Sequence, residues 1–202
     1  MNRNKKISLF IYFGFLLISN GLAFFSFPGY SILKNTTSHL GAQGSPNGWI
    51  MNIVFVSLGI ESIWIALQTK IRYHQFFGVI FGLSLVMTGI FQHAPLITSI
   101  PVNHLQDILH SLFASITGFS FTLLAAGHGF MSDGSQRIVG IFMAMLAIFL
   151  SFAMFSVPEI MGLLQRIMFL SAFGWLFFYM KIPLNKQAKF NKLDRTRQVI
   201  IL

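Results

Sequence analysis

The sequence predicts an all-α integral membrane protein, a single bundle of six transmembrane helices. Hydrophobic residues make up 54% of its 202 residues and charged residues only 9%, which is too little polar surface for a water-soluble domain. Six apolar stretches of about 20 residues each are long enough to cross the hydrocarbon core of a bilayer as helices. Helices are favoured because lipid offers no hydrogen bonds to the backbone, and a helix satisfies its own.

The first span is predicted at about residues 7–27. It follows a short basic segment, Met1–Lys6, and is too long for the hydrophobic region of a cleaved signal peptide. A polar loop with several glycines and a proline, residues 28–48, separates it from the second span at about residues 49–68. This loop is the longest connection in the chain.

Four further spans follow shorter connections. Their predicted boundaries are about 75–91, 104–127, 138–157 and 163–182. Residues 1–184 therefore form one six-helix transmembrane domain. Residues 185–202 are predicted to form a basic cytoplasmic tail.

The basic residues indicate the orientation of the bundle, because Lys and Arg concentrate on the cytoplasmic side of membrane proteins. Twelve of the 14 fall on one side: Arg3, Lys5, Lys6, Lys70, Arg72, Arg137, Lys181, Lys186, Lys189, Lys192, Arg195 and Arg197. Lys34 and Arg166 fall on the other. We therefore expect both termini in the cytoplasm and a multi-pass protein of the plasma membrane, the inner membrane of a bacterium.

The net charge of +9 does not indicate a nucleic-acid-binding protein. The basic residues flank apolar stretches and do not form a folded basic surface. The chain has no cysteine, which excludes disulfides, thiolate metal sites and a cysteine nucleophile. Membrane lipid is the expected partner.

Polar side chains gather at the predicted outer face, where the fourth span begins. The three-residue spacing of His104, Asp107 and His110 places them on nearly one face of a helix. Arg166 lies at a comparable depth in the sixth span. Because a lone charge in lipid is unfavourable, we expect Asp107 and Arg166 to form an ion pair with His110 nearby.

The chain resembles an uncharacterised family of six-span membrane proteins, domain of unknown function (DUF) 998. The motifs that carry the resemblance are Gly29-Tyr30-Ser31, Ser38-His39-Leu40-Gly41, Pro46, His110 and Arg166. The resemblance extends through about Tyr179 and implies the fold and topology, but it implies no reaction. Family members commonly have Glu where this chain has His39.

The favoured functional hypothesis is a polar outer-face pocket, covered by the first loop, that binds a lipid headgroup or another polar or anionic ligand without catalysis. A guanidinium suits an anionic group, and imidazoles and loop N–H groups add hydrogen bonds. The candidate binding residues are Ser38, His39, His104, Asp107, His110 and Arg166.

The alternative is an interfacial hydrolase or transferase. A zinc site that activates water could draw its ligands from His93, His104, Asp107 and His110. In a second form, Ser38 is the nucleophile and a histidine such as His110, oriented by Asp107, is its base. The sequence identifies no cofactor.

A third hypothesis is a small proton-coupled transporter, based on Glu61. This carboxylate interrupts the second span about 18 Å from its outer end, past the middle of the hydrocarbon core. No basic residue is at its depth. We therefore expect Glu61 to face the bundle and to hydrogen-bond to a neighbouring helix.

Overall fold

The computed structural model describes residues 3–181, and the described chain is helical with no strand. Its seven α-helices are α1 (Arg3–Gly21), α2 (Thr37–Leu40), α3 (Gly48–Gln68), α4 (Arg72–Ile90), α5 (His104–Met131), α6 (Gly134–Ser156) and α7 (Met161–Gly174). A 3-10 turn, Leu22–Phe25, extends α1. A second one, Pro158–Ile160, precedes α7, and a π-helical turn, Trp175–Tyr179, follows it.

Six helical segments are long and apolar enough to cross a membrane, which confirms the predicted fold class. They are Lys5–Phe25, Gly48–Gln68, Arg72–Ile90, His104–Met131, Gly134–Ser156 and Pro158–Tyr179. The short helix α2 lies in the first loop and is not one of them. The predicted basic tail, residues 185–202, lies outside the described residues.

The spans pack mainly against their neighbours in sequence. The most extensive contacts are those between consecutive helices from α3 to α7, and α1 packs against α3 and also contacts α7. This order follows from the short connections, which turn each helix back beside the previous one. Residues 26–47, 91–103 and 157–160 lie at one end of the bundle, called here the loop end. Residues 69–71 and 132–133 lie at the opposite end.

Aromatic and aliphatic side chains fill the interior of the bundle. Phe15 of α1, Phe55 of α3 and Phe173 of α7 are almost fully buried, and their rings contact Phe169 or one another edge-on or tilted. Large apolar side chains also cover the outside, including Phe10 and Phe155. An apolar exterior over six long helices is typical of a protein whose solvent is lipid.

Glycines bring the backbones of neighbouring spans close together. A Cβ atom added at Gly59 of α3 would lie 2.5 Å from the carbonyl oxygen of Gly82 on α4. On α5 and α6, Gly129 and Gly140 approach each other in the same way. Small residues permit such contacts in membranes, where helix association depends on close packing.

Candidate functional site

The first loop folds back into the loop end of the bundle, and residues 36–43 are all buried. A capping box starts this segment at α2: the Thr36 hydroxyl accepts from the His39 N–H, and the Thr36 N–H donates to Nδ1 of His39 over 3.1 Å. Glu or Gln usually takes the His39 position in such a box. His39 therefore supplies the acceptor that a Glu or Gln would otherwise supply at this position.

Arg166 of α7 holds the first loop against α1 and α7. Its Nη1 donates to the carbonyl oxygens of Ile32 (3.0 Å), Asn35 (2.8 Å) and Gly162 (3.0 Å). Its Nη2 donates to the carbonyl oxygen of Ser19 (3.0 Å) and to the Tyr30 hydroxyl (2.7 Å). The side chain is buried, with 8% of the residue exposed. The guanidinium thus connects the loop to two transmembrane helices.

The predicted ion pair between Asp107 and Arg166 is wrong. Carbonyl dipoles and a phenol hydroxyl occupy both terminal nitrogens of the guanidinium, and this compensates its charge without a carboxylate. Asp107 instead accepts a hydrogen bond from the Ala94 N–H over 2.7 Å. Burial raises the pKa of Tyr30, while the charge of Arg166 and its hydrogen bond act in the opposite direction.

Three side chains, two from α5 and one from the first loop, hold the backbone around His93. The Gln92 N–H donates to Gln106 of α5 (2.9 Å), and the Ala94 N–H donates to Asp107. From the first loop, the Gln43 side chain donates to the Gln92 carbonyl oxygen (3.2 Å), and the Gln43 N–H donates to the His93 carbonyl oxygen (3.0 Å). This segment therefore has a defined position relative to both α5 and the first loop.

Three imidazoles meet at the loop end and form what we call the histidine cluster: His39, His93 and His110. The His39 and His93 ring centroids lie 5.0 Å apart, those of His93 and His110 lie 5.5 Å apart, and both contacts are edge-on. His39 and His110 are buried, whereas His93 retains 32% of its side-chain surface. The three residues come from three separate parts of the chain.

A guanidinium and a carboxylate, those of Arg166 and Asp107, both lie near the histidine cluster. Burial, followed by the charges of His93, His110 and Arg166, lowers the pKa of His39 from 6.5 to about 4. Asp107 is the nearby carboxylate, with Oδ1 3.9 Å from Nδ1 of His93. With a pKa of about 4, the His39 ring is neutral at neutral pH.

Other predicted site residues lie apart from this arrangement. His104 is exposed on the first turn of α5. Ser38 is buried in α2, but within residues 3–181 its hydroxyl makes no hydrogen bond to a histidine. In the same part of the chain, no three His, Asp or Glu side chains are placed so that they could hold a metal ion.

Glu61 is buried in α3, and the Ser8 hydroxyl of α1 donates to its Oε1 over 2.5 Å. Its contact lies between the first two spans, away from the loop end. Glu61 is therefore not part of the histidine cluster.

Sequence reasoning missed a second histidine pair, at the opposite end of the bundle. His74 of α4 and His128 of α5 are fully buried. Nε2 of His74 lies 3.2 Å from Nδ1 of His128. Nε2 of His128 lies 3.2 Å from Oε1 of Gln136, which also accepts from the Lys181 N–H. Two histidines at matching depth on consecutive spans are a signal that could have predicted this contact.

The comparisons with known proteins agree with this architecture. Residues 11–180, which extend from the first span to the end of the sixth, match a family described as "Protein of unknown function (DUF998)". No curated protein and no solved structure matches the chain. The family resemblance predicted from the loop and span motifs is therefore confirmed, and the chain belongs to the DUF998 family of membrane proteins.

Proposed function

We propose that this membrane protein binds an anionic lipid headgroup, or another polar anionic ligand, at the loop end without catalysing a reaction. The observation that carries the proposal is the histidine cluster. Nε2 of His39, of His93 and of His110 makes no hydrogen bond to residues 3–181, and none of the three atoms is sealed from solvent. Ring nitrogens that keep contact with solvent and have no protein partner are available to a ligand.

The charge of the site favours an anion. The Arg166 guanidinium has no carboxylate partner in the described chain and lies close enough for its charge to act on His39. The Asp107 carboxylate is already engaged by the Ala94 N–H. Basic sites between transmembrane helices suit lipid headgroups, which present a phosphate at the depth of the helix ends. The Arg166 nitrogens themselves hold the loop, so Arg166 acts on the ligand through its charge.

The proposal also includes the orientation of the bundle and the identity of its membrane. With twelve of the 14 basic residues on the opposite side, the loop end faces the outside of a plasma membrane, and we infer the inner membrane of a bacterium. The ligand then comes from the outer leaflet of that membrane. A lipid needs no soluble carrier to reach such a site.

The catalytic and transport hypotheses have less support. Ser38 has no histidine partner in the described chain, and Glu61 pairs with Ser8 away from the histidine cluster. Both hypotheses stay predictions.

Lipid binding to His93 variants tests the proposal. His93→Ala is the variant of choice because the ring is partly exposed and hydrogen-bonds only to its neighbour Ala94 among the described residues. Native mass spectrometry of the purified protein should show that phosphatidylglycerol binds more tightly than phosphatidylcholine. His93→Ala should weaken phosphatidylglycerol binding by about tenfold, the effect of roughly 1.4 kcal/mol.

His104→Ala is the matched control, because it removes an exposed histidine from the same end of the bundle. It should leave binding unchanged, and thermal unfolding should show that both variants are folded. Inorganic phosphate, added as a competitor, distinguishes a free anion from a lipid headgroup. Equal phosphatidylglycerol binding by wild type, His93→Ala and His104→Ala would contradict the proposed site.

A further inference from the structure

The hydrogen-bond partners of the histidine cluster define which ring nitrogens carry hydrogen. At His39, Nδ1 accepts from the Thr36 backbone N–H over 3.1 Å. A backbone N–H can only donate, so Nδ1 of His39 is unprotonated. The hydrogen of the neutral ring is therefore on Nε2, and this Nε2–H is a donor without a partner in the described chain.

His93 and His110 have the opposite tautomer. Nδ1 of His93 lies 3.0 Å from the Ala94 carbonyl oxygen, and Nδ1 of His110 lies 3.0 Å and 2.9 Å from the carbonyl oxygens of Thr88 and Phe91. Carbonyl oxygens only accept, so each Nδ1 carries the hydrogen. In the neutral ring, Nε2 of His93 and Nε2 of His110 each keep a free lone pair.

We propose that the histidine cluster binds a headgroup that carries hydroxyl groups, such as glycerol or a sugar. This inference rests on the proposed function and names its ligand class. The cluster offers one donor, at His39, and two acceptors, at His93 and His110. A hydroxyl group both donates and accepts, so two neighbouring hydroxyls can satisfy this set.

Other headgroups match the set less well. A trimethylammonium group neither donates nor accepts hydrogen bonds, and it would meet the positive potential of Arg166. A fully ionised phosphate only accepts, and its oxygens would face the two lone pairs of His93 and His110. In a lipid such as phosphatidylglycerol, the phosphodiester supplies the negative charge, and the glycerol supplies the donors.

The site is also preorganised for such a ligand. Gln43, Gln106 and Asp107 hold the backbone on both sides of His93, and the His110 ring is held by two carbonyls. Rings held in this way lose little conformational freedom when a ligand binds.

Two anionic lipids of equal charge test the inference. Phosphatidylethanol has the same phosphodiester as phosphatidylglycerol, but it lacks the two hydroxyls of the glycerol headgroup. In nanodiscs of phosphatidylcholine, the full-length protein should bind phosphatidylglycerol about tenfold more tightly than phosphatidylethanol, as expected for two additional hydrogen bonds. His93→Phe keeps a planar ring without the acceptor and should lower this ratio to about threefold, because one of the two hydrogen bonds remains possible. His104→Phe, the exposed control, should leave it unchanged.

The outcomes separate this inference from the proposed function. Equal affinities of the wild type for the two anionic lipids would overturn the hydroxyl preference and leave anion binding intact. No preference for either over phosphatidylcholine would overturn both. ¹⁵N NMR of histidine-labelled protein gives a readout independent of any variant: hydrogen on Nε2 of His39 and on Nδ1 of His93 and His110 is expected, and any other pattern overturns the inference.

Discussion

At the scale of single residues, Arg166 and Asp107 show which hydrogen-bond partners the charged side chains at the loop end have. The two side chains were expected to form an ion pair, yet each forms hydrogen bonds to backbone groups. Arg166 donates to the carbonyls of Ser19, Ile32 and others, and Asp107 accepts from the Ala94 N–H. Carbonyl groups at loops and helix ends are free to accept because no helical N–H uses them. The two side chains share no hydrogen-bond partner in the described chain.

Independent roles predict additive effects on stability. Arg166→Gln should lower the free energy of unfolding by at least about 3 kcal/mol, because it removes several hydrogen bonds to a charged donor. Asp107→Asn keeps an acceptor for the Ala94 N–H and should lower the free energy of unfolding by only about 1 kcal/mol. In a double-mutant cycle measured by chemical unfolding in detergent, the two losses should add to within about 0.5 kcal/mol. A double variant more stable than Arg166→Gln alone would show that the two side chains interact, as the predicted ion pair requires.

The pKa of His39 predicts acid sensitivity. Because this pKa falls from 6.5 to about 4 on folding, the unfolded chain binds more protons between those pH values. The free energy of unfolding should therefore decrease as the pH falls from about 6.5 to 4, by roughly 3 kcal/mol in total, and change little below that.

The variant His39→Gln isolates this contribution. Glutamine keeps the acceptor of the capping box but does not titrate in this range. Unfolding curves at pH 7 and pH 4.5 should show a smaller acid-induced loss for this variant than for wild type or for His104→Gln. The same pH dependence in all three proteins would assign the acid sensitivity to other groups.

At the scale of helices, the glycines on adjacent spans differ in their surroundings. Gly59 faces the backbone of Gly82 and the Val86 side chain, whereas a Cβ at Gly118 on α5 would meet nothing within 4 Å. Ser111 and Ser115 lie on the same face of α5 as Gly118, at helical spacing. In the described chain both serines are exposed, so this part of the α5 face has no helix against it.

Alanine substitutions at these two glycines should therefore have opposite effects. Gly59→Ala should destabilise the bundle by about 1–3 kcal/mol, because α3 and α4 must separate. Gly118→Ala should be neutral or stabilising by up to about 1 kcal/mol, because alanine is the better helix former. Thermal unfolding in one detergent compares them directly. Destabilisation by Gly118→Ala similar to that of Gly59→Ala would indicate a partner on that face of α5.

At the scale of the whole molecule, orientation is the property that most affects the proposed function. The native chain has no cysteine, so single cysteines report one site each. Lys34→Cys and Ser99→Cys place exposed thiols at the loop end, and Ser135→Cys places one at the opposite end. In sealed cells, an impermeant thiol reagent should label the first two and not the third. Labelling of Ser135→Cys alone would place the histidine cluster on the cytoplasmic side.

The six-span bundle could be predicted from the sequence because its causes are local. The length of an apolar stretch and the need to satisfy its own backbone in lipid decide that it is a helix and that it spans. The same reasoning placed Asp107 and His110 at one end, together with His39 of the first loop. Each of these features depends on residues close to one another in the chain.

Only the tertiary structure decided which polar groups meet. Arg166 and Ile32 are 134 positions apart, and Gln43 and Asn103 are 60 apart. Helical periodicity places a side chain on a face but does not say whether a carboxylate, a carbonyl or a ring lies opposite. The choice follows from how the first loop folds into the bundle, because its free carbonyl groups compete with Asp107 for the guanidinium. That fold also brings His39 to His93, and it thereby creates the cluster on which the proposed function rests.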